Sequence, residues 1–149
     1  MQVIPTAIVQ SLFENNSPFK GAPPEAIELL IKLAKYKEFK SKNFLFESGQ
    51  SSLGFWGVLE GKVRLSKVNN NGELHIIKDF CQGDWLGFIS YLSETNSPHD
   101  AIAIEKTKVL FLDNAALEEL YETYPVFYKS TMAIISKAFV RLASHYNNT

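Results

Sequence analysis

The sequence predicts a mainly β domain with helices at both ends. Between Tyr36 and Asp113 apolar residues recur with a period of two, and turn residues interrupt them about every eight to twelve positions. Outside this stretch the apolar period becomes that of a helix. Many short strands separated by glycine turns are typical of a β-sandwich or barrel and not of a parallel sheet.

The composition is that of an ordinary globular domain. Among 149 residues, 46% are hydrophobic and 21% charged, which excludes a disordered chain. With 15 basic and 16 acidic side chains the net charge is −1, so no global positive field favours nucleic acid. The single cysteine, Cys81, excludes an intramolecular disulfide and any all-cysteine zinc or iron–sulfur site.

No membrane span or targeting segment is evident in the sequence. No apolar run approaches the roughly 18–20 residues of a spanning helix. Residues 1–5 lack the basic and apolar regions of a signal peptide. We therefore expect a cytoplasmic domain with no membrane partner.

Two short helices are predicted before the first strand. Thr6 can cap a helix through Phe13, after which proline and glycine break the chain. The sequence Pro23-Pro24-Glu25 opens a second helix over residues 26–33. Its predicted apolar face consists of Ile27, Leu30, Ile31 and Ala34.

The clearest strand pair lies in the middle of the chain. Residues 62–67 alternate, with Val63, Leu65 and Lys67 on one face, as in a half-buried strand. Asn70-Asn71-Gly72 predicts a hairpin, because both turn positions tolerate positive φ. Residues 74–80 form the partner strand.

The chain then returns to helix. Asp113 can cap a helix from Asn114 to about Tyr124, and Pro125 occupies the first turn of a last helix. That last helix carries apolar residues at alternating steps of four and three, which is a coiled-coil seam. The seam consists of Tyr128, Met132, Ile135, Phe139, Leu142 and Tyr146.

Two interpretations of this seam stay open. It packs on the β domain as ordinary core, or it pairs with the same helix of a second copy in a two-fold dimer. A second apolar face, formed by Phe127, Ile134 and Ala138, favours the dimer, because a helix that is apolar on two sides needs two partners.

Several stretches resemble the sensor domain of the Crp/Fnr family of bacterial regulators, over about residues 25–146. They are 54–66, 71–73, 83–87, 99–101, 107–112 and 118–125, in that order. The resemblance implies a cyclic-nucleotide-binding-domain-like double-stranded β-helix (jelly roll) in residues 1–124, followed by a dimerisation helix in 125–149. It also implies that DNA is bound only through a helix-turn-helix domain, which this sequence does not contain.

The resemblance also implies a phosphate-binding cassette after Gly83. In the family, backbone amides and a helix N-terminus cradle a cyclic phosphate. A glutamate after the second glycine binds the ribose hydroxyl, and an arginine about nine residues later pairs with the phosphate. Here Phe88 stands at the glutamate position, and Ser97 stands at the arginine position, or Pro98 or His99 if the loop shifts.

These replacements predict that cyclic AMP and cyclic GMP do not bind in the family manner. A buried phosphate without a cationic partner has a desolvation cost of several kcal/mol. A largely apolar pocket with a few polar anchors would suit a neutral or weakly anionic metabolite, or its own side chains fill it. The candidate pocket residues are Trp85, Gly87, Phe88, Ile89, Ser97, Pro98, His99 and Asp100.

Other chemistry is weaker in this sequence. Glu73 and His75, with His99 or Asp100, imitate a cupin-like metal site, but a solvent-facing glutamate and a satisfied histidine are the favoured interpretation. Haem binding through Cys81 and His75 is disfavoured, because a lone cysteine is typical of a core. We predict no metal and no cofactor.

No nucleophile elbow or phosphate-binding P-loop points to an enzyme. The sequence therefore predicts a non-enzymatic regulatory sensor of the Crp/Fnr type, with an unknown small-molecule effector, that signals through its last helix. The alternative is a stand-alone dimeric scaffold module with a filled pocket.

Overall fold

The computed structural model describes residues 5–14, 16–50 and 53–147, and the side chains of residues 89 and 145–147 lie outside this description. Five helices and eight strands are present in it. They are α1 (Thr6–Ser11), α2 (Pro24–Leu33), β1 (Lys35–Phe39), β2 (Phe44–Phe46), β3 (Gly54–Glu60), β4 (Val63–Val68), β5 (Leu74–Phe80), β6 (Trp85–Leu86), α3 (Phe88–Ser93), β7 (Asp100–Ala103), β8 (Thr107–Asp113), α4 (Asn114–Thr123) and α5 (Val126–Asn147).

The strands form two antiparallel sheets of four strands each. One sheet has the order β1-β8-β3-β6 and the other the order β2-β7-β4-β5. Neighbours in space are therefore mostly distant in sequence, as in a jelly roll. The predicted fold class, a mainly β jelly roll with flanking helices and a long C-terminal helix, is confirmed. No helix of the described residues is long and apolar enough to span a membrane.

The N-terminal helices differ from the prediction in two respects. Pro5 and not Thr6 precedes α1, without a side-chain cap, and α1 ends at Ser11. The prediction of a Thr6 cap was wrong, because Thr6 already lies in the first turn. In α2, Ile31 is 47% exposed and does not belong to the buried face, which consists of Ala26 and Leu30.

The β4–β5 hairpin is present, but the alternation predicted for β4 is not kept throughout. A register shift between Leu65 and Ser66 interrupts the alternation, so Ser66 is buried instead of facing solvent. In the turn Gly72 has positive φ, at +84°. The Gly72 N–H donates to the Asn69 carbonyl at 2.9 Å, which closes a four-residue β-turn.

One core cluster joins the N-terminal segment, the sheet and the C-terminal helices. Phe19 is fully buried at its centre, with ring centroids 5.1 Å from Trp85 and 5.2 Å from Phe127. The indole N–H of Trp85 donates to the Leu12 carbonyl at 2.7 Å. The start of α5 is thus packed against the β domain through aromatic side chains.

The helices after β8 begin as the sequence indicates. The carboxylate of Asp113 accepts a hydrogen bond from the Ala116 N–H at 2.9 Å, so the predicted cap is confirmed. Pro125 lies immediately before α5, not in its first turn as predicted, since the helix begins at Val126.

Removing this cap is expected to destabilise the protein by a measurable amount. Asp113→Ala should lower the free energy of unfolding by about 1 kcal/mol, because the start of α4 loses its side-chain acceptor. Asp113→Asn retains an oxygen in the same place and should lose less. Urea unfolding followed by circular dichroism at pH 7 measures both variants, and an equal loss in the two would contradict a capping role.

Wild type and Asp113→Asn should also differ in how their stability changes at low pH. The hydrogen bond from Ala116 and the ion pair with Lys35, at 3.2 Å, lower the pKa of Asp113. A group with a depressed folded pKa stabilises the protein fully above its unfolded pKa, about 4, and loses this contribution as pH falls through the folded pKa. Wild type should therefore lose more stability than Asp113→Asn as the pH is lowered from 7 through about 4 and below.

Candidate functional site

The predicted pocket centres on the turn between β6 and α3. Gly87 has φ +104°, and a Cβ there would lie 2.4 Å from the Gly54 carbonyl oxygen. This turn therefore packs against β3 so closely that only glycine fits. Beside it lies a void of about 10 Å³, close to the lower limit for one water molecule. The void is lined by Phe46, Leu53, Gly54, Trp56, Gly87, Ser90 and Ser97.

Of the predicted pocket residues whose side chains the structure describes, Gly87 and Ser97 line this void. Trp85 belongs to the core around Phe19, and the side chain of Ile89 lies outside the described residues. The lining residues from β2 and β3 were missed in the sequence. β3 is buried on both faces, so its apolar run does not indicate which face Trp56 takes, and nothing local shows that Phe46 lies beside it.

Phe88, at the position of the family glutamate, packs toward the core. Its ring lies 5.0 Å from that of Phe55 at 78°, an edge-to-face contact. Tyr91, one turn further along α3, contacts the same ring at 5.5 Å. The helix is therefore fixed to β3 by aromatic contacts, and Phe88 presents no hydrogen-bond acceptor to a ligand.

Ser97 holds two loops together through its own hydrogen bonds. Its hydroxyl donates to the His99 carbonyl at 2.8 Å and accepts from the His99 N–H at 3.2 Å. Its N–H donates to the Gln50 carbonyl, and its carbonyl accepts from the Gly49 N–H, both at 2.8 Å. The side chain is buried and already hydrogen-bonded, so it stabilises the conformation of the loop.

The remaining polar candidates are similarly engaged. Asp100 accepts a hydrogen bond from the Ser48 N–H at 2.7 Å, and the exposed Pro98 accepts one through its carbonyl from the Ser48 hydroxyl at 3.4 Å. Burial lowers the pKa of His99, and the charge of Lys67 lowers it further. His99 is therefore neutral at pH 7 and supplies no positive charge in place of an arginine.

The residues considered for metal or haem do not converge. His75 is exposed on β5, and its Nε2 lies 4.0 Å from Glu73 and 2.6 Å from the Asn69 amide. The described residues include no group of three side chains able to hold a metal ion. Cys81 is exposed, which corrects the expectation of a core cysteine, and its N–H donates to Asp84 at 2.8 Å.

Helix α5 contacts the domain with one face. Phe127 and Thr131 are buried, and the Thr131 hydroxyl lies 2.7 Å from that of Tyr121. Four residues of the predicted seam are at least half exposed, Ile135 is half-buried, and the side chain of Tyr146 is not described. The exposed fractions are 50% for Tyr128, 54% for Met132, 68% for Phe139 and 55% for Leu142.

A series of aromatic contacts joins α3 to this seam. Phe88 touches Phe55, which lies 6.4 Å from Tyr121 at 82°. Tyr121 in turn stacks on Tyr128 with centroids 4.3 Å apart. Neighbouring aromatic side chains thus extend from the pocket helix to the first residue of the seam.

Comparison with known families agrees with this architecture. The family model for the cyclic nucleotide-binding domain matches residues 36–124, more than half of the chain. The chain belongs to the cyclic nucleotide-binding domain family. The members of this family are binding domains. The resemblance to Crp/Fnr sensor domains is confirmed.

Curated relatives of this cyclic nucleotide-binding domain include a receptor protein and a lysophospholipase. It is 24% identical over 119 residues to the cyclic AMP receptor protein of Thermus thermophilus, covering 80% of this chain and 55% of that protein. This chain thus spans about half the length of that relative. It is also 24% identical over 102 residues to lysophospholipase NTE1 of Phaeosphaeria nodorum, covering 68% of this chain but 7% of that enzyme.

Solved structures show the same fold. The catabolite activator protein of Thermus thermophilus superposes with a TM-score of 0.81 at 23% identity, covering 88% of this chain and 62% of that one. The sensor domain of the regulator DNR from Pseudomonas aeruginosa has a TM-score of 0.74 at 15% identity. The match covers 94% of this chain and 91% of that one.

Proposed function

We propose that this cyclic nucleotide-binding domain is the non-enzymatic sensor part of a cytoplasmic Crp/Fnr-type transcription regulator, and that it does not bind cyclic AMP or cyclic GMP in the family manner. The small void beside Gly87 carries this proposal. At about 10 Å³ it is far below the roughly 300 Å³ at which ligand pockets begin. DNA would be contacted through a further domain.

Electrostatics also argue against a bound cyclic phosphate. The three positions considered for the family arginine hold a hydrogen-bonded serine, a proline and a histidine that burial keeps neutral. The cation whose charge reaches His99 is the exposed Lys67, and none of the three positions supplies an arginine to pair with the anion, so the desolvation cost of a buried phosphate would stay several kcal/mol. Phe88 cannot bind a ribose hydroxyl.

We expect no saturable heat when cyclic AMP or cyclic GMP is titrated into the chain at millimolar concentration in a calorimeter. Phe88→Ala provides the matched variant, because it opens space beside Phe55 without adding a cation. It should likewise bind neither nucleotide, since space alone does not neutralise the phosphate. Micromolar or tighter binding of either nucleotide to wild type would contradict the proposal.

The void favours one alternative, a dimeric scaffold module whose pocket is filled by its own residues. An effector would first have to separate α3 from Phe55 and its neighbours, whereas a scaffold needs no such opening. Thermal-shift measurements with a panel of nucleotides and neutral metabolites distinguish the two. Stabilisation by any of them favours a sensor, and its absence throughout favours the scaffold.

We propose that α5 passes the signal onward by pairing with a second copy. The exposed seam supplies the surface, and the aromatic contacts from Phe88 to Tyr128 supply a connection from α3. A shift of α3 would bias α5 between two packings against the domain. Hydrogen exchange in α5 that stays the same with a stabilising ligand would contradict this coupling.

A further inference from the structure

A second concave surface lies away from the nucleotide turn. It is a groove of about 230 Å³ between the segment that follows α1 and the first half of α5. Its lining consists of Asn16, Ser17, Lys20, Lys129, Ser130, Ala133, Ile134 and Lys137. None of these residues belongs to the pocket or to the seam already described.

The groove is lined by three cations and no acid. Lys20 stands on one wall, and Lys129 and Lys137 stand on the other. Within the part of the chain that the structure describes, none of these ammonium groups forms an ion pair, whereas those of Lys35 and Lys108 do. Positive charges around a concave surface attract anions more strongly than the same charges on a flat surface.

The spacing along α5 explains the shape of this groove. Lys129, Ala133 and Lys137 are four residues apart, so they lie in one row on the helix. The row spans about 12 Å, and the short side chain of Ala133 leaves a depression between the two lysines. Ser130 and Asn16 add a hydroxyl and an amide at the same place.

We propose that this groove binds a small phosphate-bearing anion. Lysine is a common point-charge ligand for phosphate groups, and hydroxyl and amide groups supply neutral hydrogen bonds. The volume of the groove is below the range for drug-sized ligands and therefore suits a small anion. Its three lysines favour an anion that carries two or more charges. An anion that bridges Lys20 to Lys129 or Lys137 fixes the first half of α5 to the N-terminal segment. This site is independent of whether the nucleotide pocket is filled.

Calorimetric titration of the full chain with sodium pyrophosphate, at constant ionic strength in chloride, tests the site. Saturable binding is expected, and Lys129→Gln with Lys137→Gln should weaken it at least tenfold. Lys32→Gln with Lys40→Gln is the matched control, since it removes the same charge from residues outside the groove. Its affinity should stay within twofold of wild type.

Two further measurements make the result decisive. Without the anion, the groove variant should melt at or above the wild-type temperature, because mutual repulsion of lysines is relieved. A lower melting temperature would instead indicate a structural role. Sodium sulfate at the same ionic strength should bind more weakly than pyrophosphate. Equal affinity for the two anions, equal weakening by both variant pairs, or no saturable binding would overturn the proposal.

Discussion

Replacing Ile135 and Phe139 with lysine is expected to convert a dimer into a monomer. Both residues lie on the seam of α5, and Phe139 is 68% exposed in a single copy. Burial of such a side chain contributes about 1.5–3 kcal/mol, and two-fold symmetry counts each substitution twice. Loss of all four contacts, with charges placed in an apolar interface, should raise the dissociation constant by about a thousandfold or more.

Native mass spectrometry and analytical ultracentrifugation measure this change directly. Val140→Lys with Ser144→Lys is the matched control, because it adds two lysines to exposed positions on another face of α5. The control should remain a dimer. A seam variant that stays dimeric, or a control that dissociates equally, would rule out pairing through the seam.

Gly54→Ala should abolish stable folding. Gly54 begins β3 with φ +133°, and a Cβ there would lie 1.9 Å from the carbonyl oxygen of Leu112 on β8. The obstacle is backbone of a paired strand, so it cannot move aside without breaking the sheet. Overlap and positive φ together should cost more than about 4 kcal/mol, which is most of the stability of a small domain.

Gly49→Ala provides the matched control for this glycine. Gly49 also has positive φ, at +90°, but a Cβ there meets nothing within 4 Å. It should lose only the backbone contribution, about 1–3 kcal/mol, in urea unfolding followed by circular dichroism. Similar losses in Gly54→Ala and Gly49→Ala would show that the close approach to β8 is unimportant.

The elements that the sequence predicts well are those specified by local chemistry. The cap at Asp113 depends on a side chain and an N–H three residues apart, and the hairpin at Gly72 depends on one turn. Two local details, the Thr6 cap and the position of Pro125, were wrong by one residue, whereas a further failure depends on neighbours distant in sequence. Ser66 is buried through a register shift against β5, which no alternation of residues reveals.

The candidate site shows the same division. The replacement of a polar residue by Phe88 can be read directly from the sequence, but its packing on Phe55 depends on how β3 and α3 meet. Trp85 was predicted to line the pocket, but its indole N–H donates to the carbonyl of Leu12, 73 residues away. The family resemblance places the candidate site at this turn but could not supply the direction of each aromatic ring.

The attachment of α5 determines how far it can amplify a small movement. Among its described side chains, the fully buried ones are Phe127 and Thr131, both within the first two turns. From Thr131 the helix continues for about 24 Å to Asn147. A tilt of about 10° at the buried end would therefore displace the far end by about 4 Å, so under the proposed signalling the helix would act as a lever with its fulcrum beside Tyr121.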